Sequence, residues 1–220
     1  MSNKYEFTNE TKKVKDAFGG IHTLHRIKAL KDFGDVHKGG LGGWIEKESN
    51  LSQEGDCWVY DNALVYGNAM VYNNAQVYGH AQVYDDAQVL DDTKVYGYAG
   101  VCGNARVYGN AQVYDYAWAY GNAQVYDDAQ VHDNAQVFGH AKIYDNAQVY
   151  GNAHVYDGVQ VHGNARVYGN AQVCDNANLY DDVQVFGHVK VHAYAWVVSD
   201  NSSVVCCSTE VCGETEIFGD

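Results

Sequence analysis

The sequence predicts an all-β solenoid in which short parallel strands stack in coils, preceded by a small β-rich cap. A six-residue phrase, V-Y-(G/D)-(N/D)-A-Q, repeats from Val59 to Val197 with the aliphatic residue in strict register. Such repetition is typical of architectures in which each unit buries its apolar face against its neighbours. Within each phrase the apolar residues alternate as in a strand. Proline, which cannot donate to a β-ladder, is absent from the chain.

Residues 1–56 lack the repeat and are expected to form the cap. Tyr5–Phe7 and Ile21–Leu30 alternate enough to predict short strands, and Gly19-Gly20 predicts a turn between them. The glycine-rich segment Gly39–Gly43 predicts a second, flexible turn. A solenoid needs such a cap because its first coil otherwise exposes apolar core and an unpaired strand edge.

Residues 57–220 are expected to form the solenoid domain. The valine column continues from Val59 to Val197 in steps of six, and its other members are Ala119, Ile143 and Leu179. The next valine in register is Val205, which predicts a two-residue insertion, most simply a widened corner, within 199–203.

Each hexad is expected to form a short strand and a corner. In Ala-Gln-Val-Tyr, strand geometry directs alanine and valine to one face and glutamine and tyrosine to the other. Of the next two positions, the first holds glycine, aspartate or asparagine, and the second holds asparagine, aspartate or histidine. These residues tolerate positive φ or form local side-chain turns. The small alanine beside each corner leaves room for a tight bend.

The repeat resembles the hexapeptide repeats of left-handed parallel β-helices. In both, an aliphatic residue is followed by a turn and then by a small residue four positions after the aliphatic one. This resemblance implies a single-stranded, triangular β-helix with three hexads, or about 18 residues, per coil. The junction is similar to the YdcK-type hexapeptide-repeat proteins of bacteria and phages in Gly42–Glu46, Asn50–Tyr60 and Arg26–Leu30. That family implies the fold and a loose acyltransferase label, without a reaction that can be assigned to residues. Because the family also occurs in phages and prophages, it allows a phage- or prophage-encoded protein.

The charge distribution favours an acidic rod over a nucleic-acid-binding protein. The net charge is −14, and it lies in residues 57–220 because the acids and bases of residues 1–56 balance. Such a charge opposes binding to a nucleic-acid backbone or an anionic membrane. No apolar run reaches the roughly 18 residues of a membrane span. Met1–Glu6 shows no apolar signal segment, so the cytoplasm is the expected compartment.

Residues one coil apart align the outward side chains in three aromatic ladders flanked by glutamine. The first ladder is Tyr60, Tyr78, Tyr96, Tyr114, His132, Tyr150, Tyr168 and Phe186; the second is Tyr66, Tyr84, Cys102, Tyr120, Phe138, Tyr156, Cys174 and His192; the third is Tyr72, Leu90, Tyr108, Tyr126, Tyr144, His162, Tyr180 and Val198. Stacked like residues stabilise a parallel solenoid by themselves. The functional alternative is a repetitive surface that binds protein or carbohydrate.

The candidate binding residues lie where the phrase breaks. Tyr98 and Tyr116 replace the polar corner residue in successive coils, and Trp118 replaces a glutamine one coil after Gly100. A planar or sugar ligand is the expected occupant, and the alternative is packing compensation by an indole lying over Gly100. The candidate ligand-binding residues are Tyr96, Tyr98, Tyr114, Tyr116, Trp118 and Tyr120.

A zinc site is a further candidate. Cys174, His192 and Cys212 fall in one column in consecutive coils once the insertion is allowed for, and thiolate and imidazole are zinc ligands. A fourth ligand is not evident. The six cysteines lack the spacing of a disulfide framework and are expected to be reduced thiols. No cofactor is expected.

We expect a non-enzymatic structural or interaction protein, with two alternatives. Acyltransferases that resemble this chain in their core repeat usually use a catalytic histidine and a loop that projects from the helix. Here the histidines occupy ordinary repeat positions, so no catalytic residue is assigned. The other alternative is an acidic rod that mimics nucleic acid and inhibits a DNA-binding protein, with salt-sensitive binding. A homo-oligomer, either a trimer along a flat face or an end-to-end assembly, is also expected.

Overall fold

A computed structural model describes residues 3–17, 19–199, 204–205, 210–212 and 216–217. In these ranges the chain is all-β apart from one short 3₁₀ helix, Glu48–Asn50. Three sheets run along the three sides of a solenoid, and between Trp58 and Val197 each strand pairs in parallel with the strand 18 residues away, as Lys94 does with Gln112. The predicted all-β fold of stacked 18-residue coils is therefore confirmed. Within the same ranges, no helix has the length and apolar character needed to cross a membrane.

The cap is an antiparallel hairpin that continues one side of the solenoid. Strand β1 (Tyr5–Lys15) pairs with β2 (Ile21–Ala29), and β2 pairs with β3 (Leu41–Ile45). Strand β3 then pairs in parallel with Leu64–Val65. Parallel stacking thus reaches upstream of residue 57, where the sequence places the boundary, because Ile45 already points into the core.

The described strands of the solenoid are short and recur on each side. The side that follows β3 contains Leu64–Val65, Gln82–Val83, Gly100–Val101, Trp118–Ala119, Gln136–Val137, His154–Val155, Gln172–Val173, Lys190–Val191 and Glu210–Val211. The second side contains Trp58–Val59, Gln76–Val77, Lys94–Val95, Gln112–Val113, Gln130–Val131, Gln148–Val149, Arg166–Val167, Gln184–Val185 and Val204–Val205. The third contains Met70–Val71, Gln88–Val89, Arg106–Val107, Gln124–Val125, Lys142–Ile143, Gln160–Val161, Asn178–Asp181, Trp196–Ser199 and Glu216–Ile217.

The interior is filled by the valine and alanine columns. Val113 and Ala111 are fully buried, as are their equivalents in the neighbouring coils. Burying a valine contributes about 1.5–3 kcal/mol, which is offset by the entropy of ordering the chain. Main-chain hydrogen bonds run along the axis, as from the Tyr96 N–H to the Val113 carbonyl at 3.0 Å. Each coil is therefore held to the next by packing and by a complete ladder.

The corner residue two positions after each valine adopts positive φ, as its composition predicts. These residues are glycine, aspartate or asparagine from Asp61 to Gly187, and the next one is Ala193, with φ 61°. Aspartate has a second role, because its carboxylate accepts a hydrogen bond from the N–H one coil later. Gly103 N–H donates to Asp85 Oδ2 at 3.2 Å, which links consecutive corners.

The strand register confirms the predicted two-residue insertion. Leu179 pairs with Val197, 18 residues later, whereas Val185 pairs with Val205, 20 residues later. The extra residues therefore lie between Val197 and Val205. The conformation of the corner itself falls outside the described residues.

Thr93 is a polar residue in the alanine column, and its hydroxyl is buried without a hydrogen-bond partner. We expect Thr93→Val to raise the free energy of unfolding by about 1 kcal/mol, because it replaces an unsatisfied hydroxyl with a methyl group of similar size. Urea unfolding followed by circular dichroism measures the change. Val159→Thr, which introduces a hydroxyl in the same column, is the matched control and is expected to be destabilising. A loss of stability in Thr93→Val would contradict the prediction.

Candidate functional site

From Tyr78 onwards, the outward aromatic residues of the first predicted ladder form a stack in which neighbouring rings are nearly parallel, whereas Tyr60 meets Tyr78 at an interplanar angle of 87°. Tyr78 and Tyr96 have ring centroids 4.7 Å apart and planes 2° apart, and this ladder continues to Phe186. The members between them are Tyr114, His132, Tyr150 and Tyr168. Each ring covers the faces of its neighbours, so the ladder presents ring edges and hydroxyl groups to solvent.

Tyrosine hydroxyls link these ladders to the glutamine ladders. The Tyr96 hydroxyl donates to Gln112 Oε1 at 3.3 Å, and the Tyr120 hydroxyl donates to Gln136 Oε1 at 3.2 Å. Equivalent bonds join Tyr108 to Gln124, Tyr114 to Gln130, Tyr144 to Gln160 and Tyr168 to Gln184. The predicted ladders are therefore connected structural elements of the solenoid surface.

Stacking also changes the titration of the phenols. Burial, with smaller contributions from Tyr108 and Tyr144, raises the pKa of Tyr126 to about 12 from the ordinary 10.0. A raised pKa means that folding favours the neutral phenol, so its contribution to stability is complete below pH 10 and is lost as the pH rises towards 12.

We therefore expect tyrosinate absorbance to appear at higher pH in the folded protein than in urea. Secondary structure is expected to be lost over the same alkaline interval, because ionised phenols repel one another within a stack. Absorbance and circular dichroism measured on one pH series provide the test. Coincident titration curves for folded and urea-denatured protein would contradict it.

Five of the six predicted ligand-binding residues lie in three neighbouring stacks around one corner, and Trp118 lies outside these stacks. Tyr96 and Tyr114 belong to the long ladder on one side of this corner. Tyr98 and Tyr116 stack on the corner itself, with centroids 5.1 Å apart. Tyr120 stacks on Phe138 on the other side of the corner. The residues lie close together, but they do not converge on a single concave pocket.

Trp118 lies flat over Gly100, as the register predicts. The two residues pair directly in adjacent strands, and a Cβ atom at position 100 would overlap the Trp118 ring. The edge of Trp118 also contacts Tyr84, with ring centroids 6.4 Å apart. One face of the indole is therefore used for packing against the preceding coil.

The corner stack is the exposed part of the candidate site. Tyr98 is 53% exposed and Tyr116 is 57% exposed, whereas Trp118 is half-buried. His80 stacks on Tyr98 at 4.9 Å and extends the stack to three rings. His80 is not among the binding residues predicted from the sequence, although its position one coil before Tyr98 was the available signal. We call His80, Tyr98 and Tyr116 the corner stack.

The predicted zinc residues have other contacts. His192 Nε2 lies 2.8 Å from Glu210 Oε1, and its Nδ1 lies 3.9 Å from Asp175. Cys174 is buried, whereas Cys212 is exposed. The zinc site at Cys174, His192 and Cys212 stays a prediction.

A different group of side chains in the described ranges could hold a cation. Asp115, His132 and Asp133 each offer one ligand atom, and these atoms lie within 4.8 Å of one another. His132 Nδ1 is 3.5 Å from Asp133 Oδ1. The same Asp133 carboxylate accepts a hydrogen bond from the Gly151 N–H at 2.9 Å, which already satisfies part of its capacity.

A shallow polar groove, which was not predicted from the sequence, lies where a cap loop faces the solenoid. Its volume is about 680 Å³, and Asp35 and Asp56 line it from the cap side. Lys94 and Gln112 are among the solenoid residues opposite. The sequence signal was weak because Asp35 belongs to a loop without a repeat.

Comparisons with known proteins agree with this geometry. The family described as YdcK Beta solenoid repeat matches residues 65–79, 99–115, 147–163 and 159–175. The Escherichia coli (strain K12) protein named uncharacterized acetyltransferase YdcK is 55% identical over 42 residues, which are 19% of this chain and 13% of that protein. The matched region is thus a small part of the relative. The repeat matches, the partial relative and the stacked coils together support a β-solenoid similar to the YdcK-type proteins.

Proposed function

We propose that the protein is a non-catalytic interaction module that docks a partner protein through its flat Tyr/Gln sides, with the corner stack as the centre of the contact. The observation that carries this proposal is the exposure of Tyr98 and Tyr116 at the edge of two regular ladders. Tyrosine is enriched in protein interfaces because it supplies a large, rigid contact area with few rotatable bonds.

The arrangement of the rings favours a protein over a carbohydrate partner. A sugar or a base that stacks on an aromatic ring needs an uncovered ring face. Inside the ladders those faces are covered, since Tyr96 lies between Tyr78 and Tyr114 at 4.7–4.8 Å. Ring edges, hydroxyls and amides on a flat side are suited to the broad, complementary surface of another protein.

The corner stack can be removed without disturbing the coil. Asparagine is common at this corner position, and Asn134 donates to Asn152 one coil later at 3.3 Å. Tyr98→Asn with Tyr116→Asn therefore replaces two exposed rings by residues that this corner accommodates. His188→Asn is the matched control, because His188 is an exposed aromatic residue further along the same corner edge.

The test is affinity capture from cells of the source organism, followed by mass spectrometry. We expect a partner protein that is retained by the wild type and by His188→Asn, and that is reduced at least tenfold in the double variant. Capture should persist in high salt, because docking through rings depends little on charge. Equal recovery with the double variant would remove the corner stack from the interface. Loss in high salt would instead favour the acidic-mimic alternative.

A second candidate is acyl transfer, which the printed name of the Escherichia coli relative favours. It predicts that coenzyme A binds to the purified protein and that acetyl-coenzyme A is consumed in the presence of an amine or alcohol acceptor. Calorimetry with coenzyme A and detection of the released thiol provide the test. Tight binding with turnover would replace the non-catalytic proposal.

A further inference from the structure

Lys4 and Cys57 form a buried contact between the cap and the first coil. Lys4 is 1% exposed and Cys57 is fully buried, and the Lys4 Nζ atom lies 3.2 Å from the Cys57 Sγ atom. Lysine is rarely buried to this degree. The contact therefore places an amine beside a thiol in a part of the molecule that the proposed function does not use.

Other contacts hold the Lys4 amine in place. Its Nζ donates to the Cys57 carbonyl at 2.9 Å and to the Glu54 and Gly55 carbonyls at 3.3 Å. The ring of Phe33 lies 5.1 Å from the same atom. These contacts keep the nitrogen beside the sulfur, so a reaction between them requires little rearrangement.

Burial also moves both groups towards their neutral forms. It lowers the pKa of the Lys4 ammonium and raises the pKa of the Cys57 thiol, while the attraction between the two groups opposes both shifts. The neutral amine has two N–H groups, so one of the three carbonyl contacts is given up and the lone pair becomes free to attack the sulfur.

A cavity lies beside the residues that contact Lys4. A shallow cavity of about 660 Å³ is lined by Phe33, Glu54 and Gly55, which also contact Lys4. The thiol itself is fully buried, so hydrogen peroxide would reach it from this cavity by local opening of the cap.

We propose that Lys4 and Cys57 form an oxidative nitrogen–sulfur crosslink with hydrogen peroxide as the oxidant. The Cys57 thiol passes its proton to the Lys4 amine, and the thiolate attacks hydrogen peroxide: the S–O bond forms, the O–O bond breaks, and the hydroxide leaves with a proton from the Lys4 ammonium as one water, which gives a sulfenic acid. The neutral Lys4 amine then attacks the sulfur: the S–N bond forms, the S–O bond breaks, and the hydroxide leaves with a nitrogen-bound proton as a second water. Sulfur is oxidised and peroxide is reduced. A second peroxide can insert one oxygen between the atoms and release a third water, giving an N–O–S bridge.

The crosslink would connect the start of the cap covalently to the solenoid. Lys4 directly precedes β1, and Cys57 directly precedes the strand Trp58–Val59 on a different side. Closing this loop restricts the unfolded chain and holds the hairpin over the end of the core. Oxidised protein is therefore expected to unfold at a higher temperature than reduced protein.

The test is mass spectrometry of the intact, full-length protein treated with hydrogen peroxide. For the S–N bond, the mass should fall by the mass of two hydrogens. For the N–O–S bridge, the mass should rise by the difference between one oxygen and two hydrogens. Dithiothreitol should reverse either change. Digestion at acidic residues should release a peptide containing Lys4 joined to one containing Cys57. A map in which Cys57 becomes a sulfinic acid and Lys4 stays unmodified would overturn the proposal.

Variants separate this reaction from general oxidation. Lys4→Met keeps the length of the side chain and removes the amine, so it should abolish the crosslink. Cys102→Ser removes a half-buried thiol elsewhere in the solenoid and should leave the crosslink intact. If Lys4→Met does not fold, the peptide map of the wild type still decides the question. A reducible mass change that disappears in Cys102→Ser would assign the chemistry to the wrong thiol and overturn the proposal.

Discussion

Gly97→Val is expected to lower the free energy of unfolding by about 2–3 kcal/mol, because valine is disfavoured at positive φ. Gly97 has φ 71°, and a Cβ atom at this position would lie 2.9 Å from the Asp115 backbone nitrogen in the next coil. Valine thus meets a backbone conformation that it rarely adopts and a contact with main-chain atoms that cannot rotate away. Urea unfolding followed by circular dichroism measures the loss.

Gly97→Asn is the matched control for this prediction. Asparagine tolerates positive φ, and Asn73 adopts φ 59° at an equivalent corner of this chain. We expect Gly97→Asn to lower the free energy of unfolding by about 1 kcal/mol or less. Equal losses for the two variants would show that the contact with Asp115 dominates over the backbone conformation. No loss for Gly97→Val would contradict the constraint at the corner.

Gly100→Gln is expected to lower the free energy of unfolding by about 2 kcal/mol, because the new side chain needs the space that Trp118 occupies. Glutamine is the common residue at this position, so the substitution restores the repeat locally and is damaging because of its neighbour. The indole would have to leave the strand surface and expose more of its area to water. Thermal and urea unfolding both report the loss.

The double variant Gly100→Gln with Trp118→Gln is expected to recover most of this stability. It restores a continuous glutamine ladder through positions 82, 100, 118 and 136, which pair in adjacent strands. The coupling free energy from the double-mutant cycle should be about 1–2 kcal/mol. Additive effects of the two substitutions would contradict direct packing between these residues. Trp118→Gln alone leaves an unfilled space over Gly100 and is expected to be mildly destabilising.

Part of the candidate site could be predicted from one-dimensional spacing. Trp118 over Gly100 and Tyr98 beside Tyr116 follow from residues 18 apart, since stacked strands place such residues in contact. The difference in exposure between these residues did not follow from spacing. Both Tyr116 and Trp118 interrupt the phrase, yet Tyr116 points from a corner into solvent and Trp118 lies flat on a neighbouring side.

In the cap, the spacing of residues along the sequence does not predict which side chains meet. The two strands of its hairpin and the turn between them were predicted, but strand β3 was not, because its first residues were expected to belong to a flexible turn. The docking of the cap on the solenoid was not predicted either, because contacts between non-repeating segments have no period to read. Lys4 meets Cys57 across 53 positions of sequence, and Asp35 accepts a hydrogen bond from the Tyr60 hydroxyl. Neither pair has an equivalent elsewhere in the described part of the chain that would reveal it.

The coil, its inward columns and its outward ladders are properties of the sequence alone. They follow because a hexad combines strand alternation with a residue that accepts positive φ, and because identical hexads bury identical faces. The tertiary structure decided which ring faces stay uncovered, how the cap closes the first coil and which buried side chains meet there. Those features depend on contacts between segments that are distant in sequence. Such contacts are determined by side-chain volume and burial, and the local sequence pattern does not predict them.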